Sequence, residues 1–493
     1  MLRIPPRAFT ASALLGALAL STSASARESA ADCVARIEVG PGAGTSPGPV
    51  VDVAWRCRAP GDAREVRFIA GHAATAAALG DIKDAGGTTV PRDGDAWIVS
   101  VVDGVATLRY RLDVGALARG VDSVASAVAR GGGVAAVAST WLLEPRLPGV
   151  AVPALDLAIA TAPGHVFAAG LPETAGVWRV RGQTLRFVGY TALGRVALQR
   201  VPVPSPATSA GRPAHIDLAI LDGALAVTPA ELALWTRRTA EMTAGYWGGF
   251  TVERMLLVAL PTAGRRGIGY GRTVPGAGMT VIVQVGSAST PANLQDDWVL
   301  PHEFVHSGMP FLRGAAWLME GAATYVEPIT RARAGWRTEA SVWREWIDSM
   351  PRGLAALDAG LAGGSPYWGG ALFLLLTDIE IRRATSGAKG IEDCLRGARD
   401  RGGVLAPTER WPLAAYVEAC DAALGAPVMA GMVARHLGAS RRVDLAALWR
   451  DLGVRADGDG VAFDDTAPLA AIRLSIVMGP PDRKPVAVPP LVR

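Results

Sequence analysis

The chain has 493 residues, of which 50% are hydrophobic and 19% charged, with 58 glycines and 34 prolines; it is long enough for two or three domains, and intrinsic disorder is excluded as its main state. Lys and Arg number 49 against 45 Asp and Glu, a formal charge of +4. That balance is too mild to argue for a nucleic-acid partner.

The first 26 residues read as a signal peptide for export. Arg3 and Arg7 precede an apolar run from Ala8 to Leu20, and Ala24-Ser25-Ala26 offers small residues for cleavage before Arg27. No other apolar run is long enough to span a bilayer, so the mature protein is expected to be periplasmic or extracellular, with no stable membrane anchor. Four cysteines suit that compartment. They allow three connectivities, of which the sequential one, Cys33 with Cys57 and Cys394 with Cys420, is the expectation; a thiolate metal site lacks any close C-x-x-C spacing.

Residues 27–148 alternate apolar and polar side chains in short runs, with Asp103-Gly104 as a hairpin turn, and are expected to form a β-rich domain. Residues 149–225 read as a second β-rich region, including strands at Gly176–Val180 and Thr184–Val188. Neither carries a catalytic cluster. From 226 to 440 the pattern turns mainly helical, and 441–493 form an extension with a Pro-rich tail. Thr228, Pro229 and Glu231 announce a capped helix to about Ala244. A strand over Val252–Leu260, a glycine-rich loop over Gly264–Gly278 and an exposed edge strand over Met279–Val285 follow. Helices are then expected at Asn293–Ser307, Ala316–Ile329, Thr338–Met350, Trp368–Thr385 and Ile391–Arg399, with Gln295, Asp296 and Asp297 at the start of the first.

That first helix contains His302-Glu303-Phe304-Val305-His306. Residues four apart share a helix face, so His302 and His306 can present ring nitrogens to one metal ion, with Glu303 offset toward the water of an open coordination position. The plainer alternative is a pair of core histidines beside a surface glutamate. Beyond thirteen intervening residues, room for a turn and an antiparallel helix, Glu320 can supply the third ligand of a His2Glu site for one Zn2+. Glu327 is either an orienting partner or a solvated side chain.

H-E-x-x-H followed by Trp317-Leu318-Met319-Glu320-Gly321 resembles the gluzincin zinc metallopeptidases, and most closely the glycyl aminopeptidase family. The likeness runs from about Tyr246 to Arg399 and includes Tyr367-Trp368-Gly369-Gly370 and Asp378-Ile379-Glu380-Ile381-Arg382. It implies an α+β multidomain chain whose β-rich N-terminal region precedes a thermolysin-like, mainly helical peptidase domain with a small antiparallel sheet. It further implies a peptide or protein substrate, Glu303 as general base and Tyr367 as the hydroxyl that steadies the oxyanion.

Two departures stand out. In the aminopeptidase N-like enzymes the glycine-rich segment holds a glutamate for the substrate's free amine, whereas Ile268–Arg272 and Pro275–Met279 contain no acid here. The link from His306 to Glu320 is also short, which should alter the substrate wall near Ser307–Arg313. The family's frequent C-terminal PDZ module is not expected. Readings outside peptide hydrolysis are a non-catalytic binding protein on the same fold, or a zinc hydrolase of a non-peptide substrate.

Overall fold

A computed structural model of the protein describes residues 32–42, 48–80, 82–84, 86–207, 212–276, 278–361, 366–403, 411–438, 442–479 and 487–492. The expected leader and the first residues of the Pro-rich tail lie outside them. No described helix is long and apolar enough to cross a membrane.

The first half is built from strands. In Cys33–Pro41 every second residue is buried, and the strand pairs antiparallel with Pro49–Arg58 and parallel with Leu155–Thr161 at the centre of a six-stranded sheet. Asp103 and Gly104 both take positive φ, 50° and 74°, as a tight turn of the primed type requires. Two four-stranded sheets pack around the same core, which buries Trp55, Trp97 and Trp141. The strand expected at Thr184–Val188 is instead a 3-10 turn over Leu185–Val188, whose buried ends lie three residues apart and meet the core together. Cys33 and Cys57 face each other across paired strands and are disulfide-bonded, as are Cys394 and Cys420.

The second half begins with a sheet that the glycine-rich sequence conceals. Strands β1 (Ala197–Ala207) and β2 (Arg212–Ile220) form a hairpin. Helix α1 (Pro229–Trp247) then crosses to β3 (Arg254–Thr262). Its start is the expected capping box: Thr228 Oγ1 accepts from the Glu231 amide and Glu231 Oε2 accepts from the Thr228 amide at 2.7 Å. Next come β4 (Ile268–Val274) and β5 (Met279–Gly286), and the strand order is β1-β2-β3-β5-β4. The sheet is therefore mixed and not antiparallel as expected, because β2, β3 and β5 run parallel. A crossover helix between β2 and β3 requires that direction. Nor is Met279–Val285 an edge. It is buried between β3 and β4, and the segment expected to be a glycine-rich loop is itself the edge strand.

The expected helix Asn293–Ser307 is broken in two, α2 (Pro291–Gln295) and α3 (Val299–His306). Asp297 causes the break, since its carboxylate accepts from the amides of Val299 and Leu300 at 2.8 and 3.0 Å and restarts the helix. Pro301 falls in that new first turn, where a missing N–H removes no helical bond. Helix α4 (Ala316–Arg333) packs against α6 (Pro366–Ala384), with α5 (Glu339–Ser349) between them in sequence. The two axes meet at Gly321 and Gly370, where a Cβ on Gly370 would lie 1.8 Å from the Trp317 carbonyl oxygen. This core buries Trp247, Trp343 and Trp346, and α7 (Ile391–Ala398) closes it. The C-terminal residues return to the body, with Trp336 donating to the Val488 carbonyl at 3.0 Å. The architecture is thus α+β and multidomain, β-rich first and helical later.

Candidate metal centre

Three side chains converge where α3 meets α4. His302 and His306 lie one turn apart on α3, with ring centroids 5.0 Å from each other. Glu320 enters from the first turns of α4, and its Oε2 lies 3.4 Å from His302 Nε2 and 3.5 Å from His306 Nε2. The ligand atoms of all three fall within 4.8 Å of one another, the one such set of His, Cys, Asp or Glu among the described residues. A tetrahedral zinc ion with bonds of about 2.0–2.1 Å separates its ligands by roughly 3.3–3.4 Å. The donor set and the two separations from Glu320 would therefore suit one zinc ion held by His302, His306 and Glu320.

The electrostatics fit a cation too. Burial lowers the His302 pKa, against the pull of the Glu320 carboxylate. Burial also works against a charged His306, but the Glu320 bond and the nearby carboxylates outweigh it and raise its pKa. Burial alone would raise Glu320, yet the two imidazoles hold it far below the usual carboxylate range. Three groups compete for positive charge at one point.

Glu303 sits on the same turn and is buried. Thr273 on β4 donates to Glu303 Oε2 at 2.7 Å and to its backbone carbonyl at 3.1 Å. Two residues earlier on the same strand face, Gly271 leaves room for this carboxylate: a Cβ there would stand 2.6 Å from Glu303 Cγ and 2.8 Å from Oε1. The contribution of β4 is missing from the sequence reading. Period-two spacing of Gly271 and Thr273 is the signal that could have revealed it, had the run been taken as a strand.

Tyr367 opens α6, 44% exposed, with its ring centroid 6.1 Å from that of His302. Partial burial, then the Glu320 and Glu303 charges, push its phenol pKa up, which keeps it a donor at neutral pH. A cavity of about 320 Å3 joins Tyr367 to His302, Glu303, Glu320 and β4, and Met309, Pro310 and Phe311 of the short link form part of its wall. A second cavity, about 1030 Å3, opens on the other side of His302 and Tyr367 between Trp298, Trp336 and Trp368. Glu327 borders it and is not solvated; it is buried and paired with Arg331 at 3.1 Å, whose other nitrogen reaches Asp296 at 3.3 Å. Asp296 and Asp297 thus have separate duties, an ion pair for one and the α3 cap for the other.

No protein-family model matches the sequence, and none of the curated proteins does. Solved structures do share the fold. An aminopeptidase N family protein from Idiomarina loihiensis superposes with a TM-score of 0.61 at 13% identity, over 85% of this chain and 78% of that one. An M1 zinc metallopeptidase from Deinococcus radiodurans gives 0.50 at 15% identity, over 83% of this chain and 95% of its own. The chain therefore shares its fold with an aminopeptidase N family protein and an M1 zinc metallopeptidase.

Proposed function

We propose that this chain is an exported zinc metallopeptidase, with His302, His306 and Glu320 as ligands of one ion on a thermolysin-like helical unit. The observation that carries the reading is the convergence of three donors within 4.8 Å of one another beside a buried carboxylate, on a cavity bordered by a sheet edge. Bound zinc supplies a Lewis acid that brings the pKa of water at the site toward about 7. Glu303 takes the proton from the attacking water and hands it to the leaving amine. The Tyr367 hydroxyl donates to the carbonyl oxygen as that oxygen gains charge. An extended peptide adds to β4, whose outer edge has no strand partner among the described residues, and its backbone is held there by ladder hydrogen bonds. Two disulfides support passage through an oxidising compartment.

Removing the metal with a chelator is expected to abolish cleavage of a mixed peptide library, and stoichiometric zinc to restore it, as read by mass spectrometry of the products. Cleavage that survives complete metal loss would sink the proposal. Thr273→Val is expected to lower kcat about 10-fold with KM and zinc content unchanged, and Thr273→Ser to restore it, because the bond to Glu303 is worth about one charge-assisted hydrogen bond. A rise in KM or a fall in zinc content instead would assign Thr273 to packing.

A further inference from the structure

Arg272 stands on β4 between the two residues that face Glu303, so its side chain leaves the strand on the other side, yet it lines the same cavity. Its partners are both neutral and both come from the N-terminal half: the Ala125 carbonyl and the Tyr190 hydroxyl accept from Nη1. These bonds fix the guanidinium in place but occupy only one of its terminal nitrogens. Nε and Nη2, the edge that binds a carboxylate through two parallel bonds, have no partner among the described residues. No ion pair among the described residues includes Arg272. The cavity's acids are Glu320 and Glu303, whose charges a bound divalent ion would offset. A fixed, uncompensated positive charge then borders the edge on which substrate lies.

We infer that Arg272 makes the cleft selective for an anionic substrate, a peptide bearing a carboxylate side chain N-terminal to the cut. In an extended peptide added to β4, successive side chains alternate between the α3 side and the Arg272 side, so a Glu or Asp at one register reaches the free guanidinium edge. A free α-amine at that place is repelled, which turns the enzyme away from release of single N-terminal residues and toward cuts within the chain.

The inference rests on the peptidase reading, and two readouts separate them. Matched peptides carrying Glu, Gln or Lys at each position before the cut, with free or acetylated amino termini, are compared on the zinc-loaded full chain by kcat/KM. The same peptides are compared by calorimetric affinity for the zinc-loaded Glu303→Gln protein, which needs no turnover. At one position Glu is expected to exceed Gln by about 10- to 100-fold in both, the contribution of a charge-assisted pair, with Lys below Gln. Arg272→Gln should bring the Glu-to-Gln ratio to about 1, and Arg272→Lys, which keeps the charge without the fork, should leave an intermediate ratio. A wild-type ratio near 1, a preference for free amino termini, or a Glu preference that persists in Arg272→Gln overturns the inference. If Arg272→Gln fails to fold, the wild-type ratios decide. If no peptide is cut, the peptidase reading falls while the affinity ratios still judge Arg272.

Discussion

Replacing Glu303 by Gln is expected to lower kcat for peptide cleavage by about 10³-fold, with KM within a few-fold of the wild type and zinc content unchanged. The substitution suits the site. Glu303 lies in a space bounded by Gly271 and Val299, so the side chain must keep its size, and the amide does so. Its oxygen can still accept from Thr273, which preserves the hydrogen bond that orients the group. What the amide cannot do is take a proton from water. A loss confined to kcat would therefore report proton transfer, and undiminished cleavage would remove Glu303 from the mechanism. The same comparison tests the non-catalytic alternative, for which wild type and variant would be equally inert.

Arg382→Met is expected to destabilise the helical half by about 3–5 kcal/mol, because it leaves buried carboxylates without their cation. Arg382 and Asp378 are fully buried, paired at 2.9 Å one turn apart on α6. Arg382 also reaches Glu392 at the start of α7 at 3.0 Å, and Arg333 of α4 approaches the other Glu392 oxygen at 3.3 Å. Tyr325 of α4 donates to Asp378 at 2.9 Å, and so does the Ile391 amide, to its other oxygen. The cluster ties the helix bearing Glu320 to the helix bearing Tyr367, so its loss should lower the urea midpoint and loosen zinc binding together. Tryptophan fluorescence and metal titration would follow the two. If burial of unpaired charge is the cause, adding Asp378→Asn and Glu392→Gln to Arg382→Met should recover much of the loss. A single-variant cost below about 1 kcal/mol would show that packing alone holds these helices.

The donors were legible because their geometry is local. A four-residue spacing fixes two imidazoles on one helix face, and a short link limits where Glu320 can go. The capping box at Thr228 is equally local, and it forms as its residues imply. What stayed hidden depends on partners far away in sequence. Ile268–Val274 contains two glycines and reads as a loop, yet pairing with β5 makes it a strand. The parallel direction of β3 is set by β2, which precedes it by a whole helix. The help that Glu303 receives from Thr273 follows from that strand and could not be inferred before it.

The ladder between β2 and β3 also limits what can be cut away. A fragment beginning at α1 would retain His302, Glu303, His306, Glu320 and Tyr367, and so look sufficient on paper. It would lack the strand that covers one side of Met255–Ala259, a run of apolar residues buried in the whole chain. Bared strand edges of that kind recruit other chains and seed aggregation. Strands β1 and β2 thus act as a shield for the sheet beneath the candidate metal centre, and the candidate site residues are not expected to be transplantable as a cassette without them.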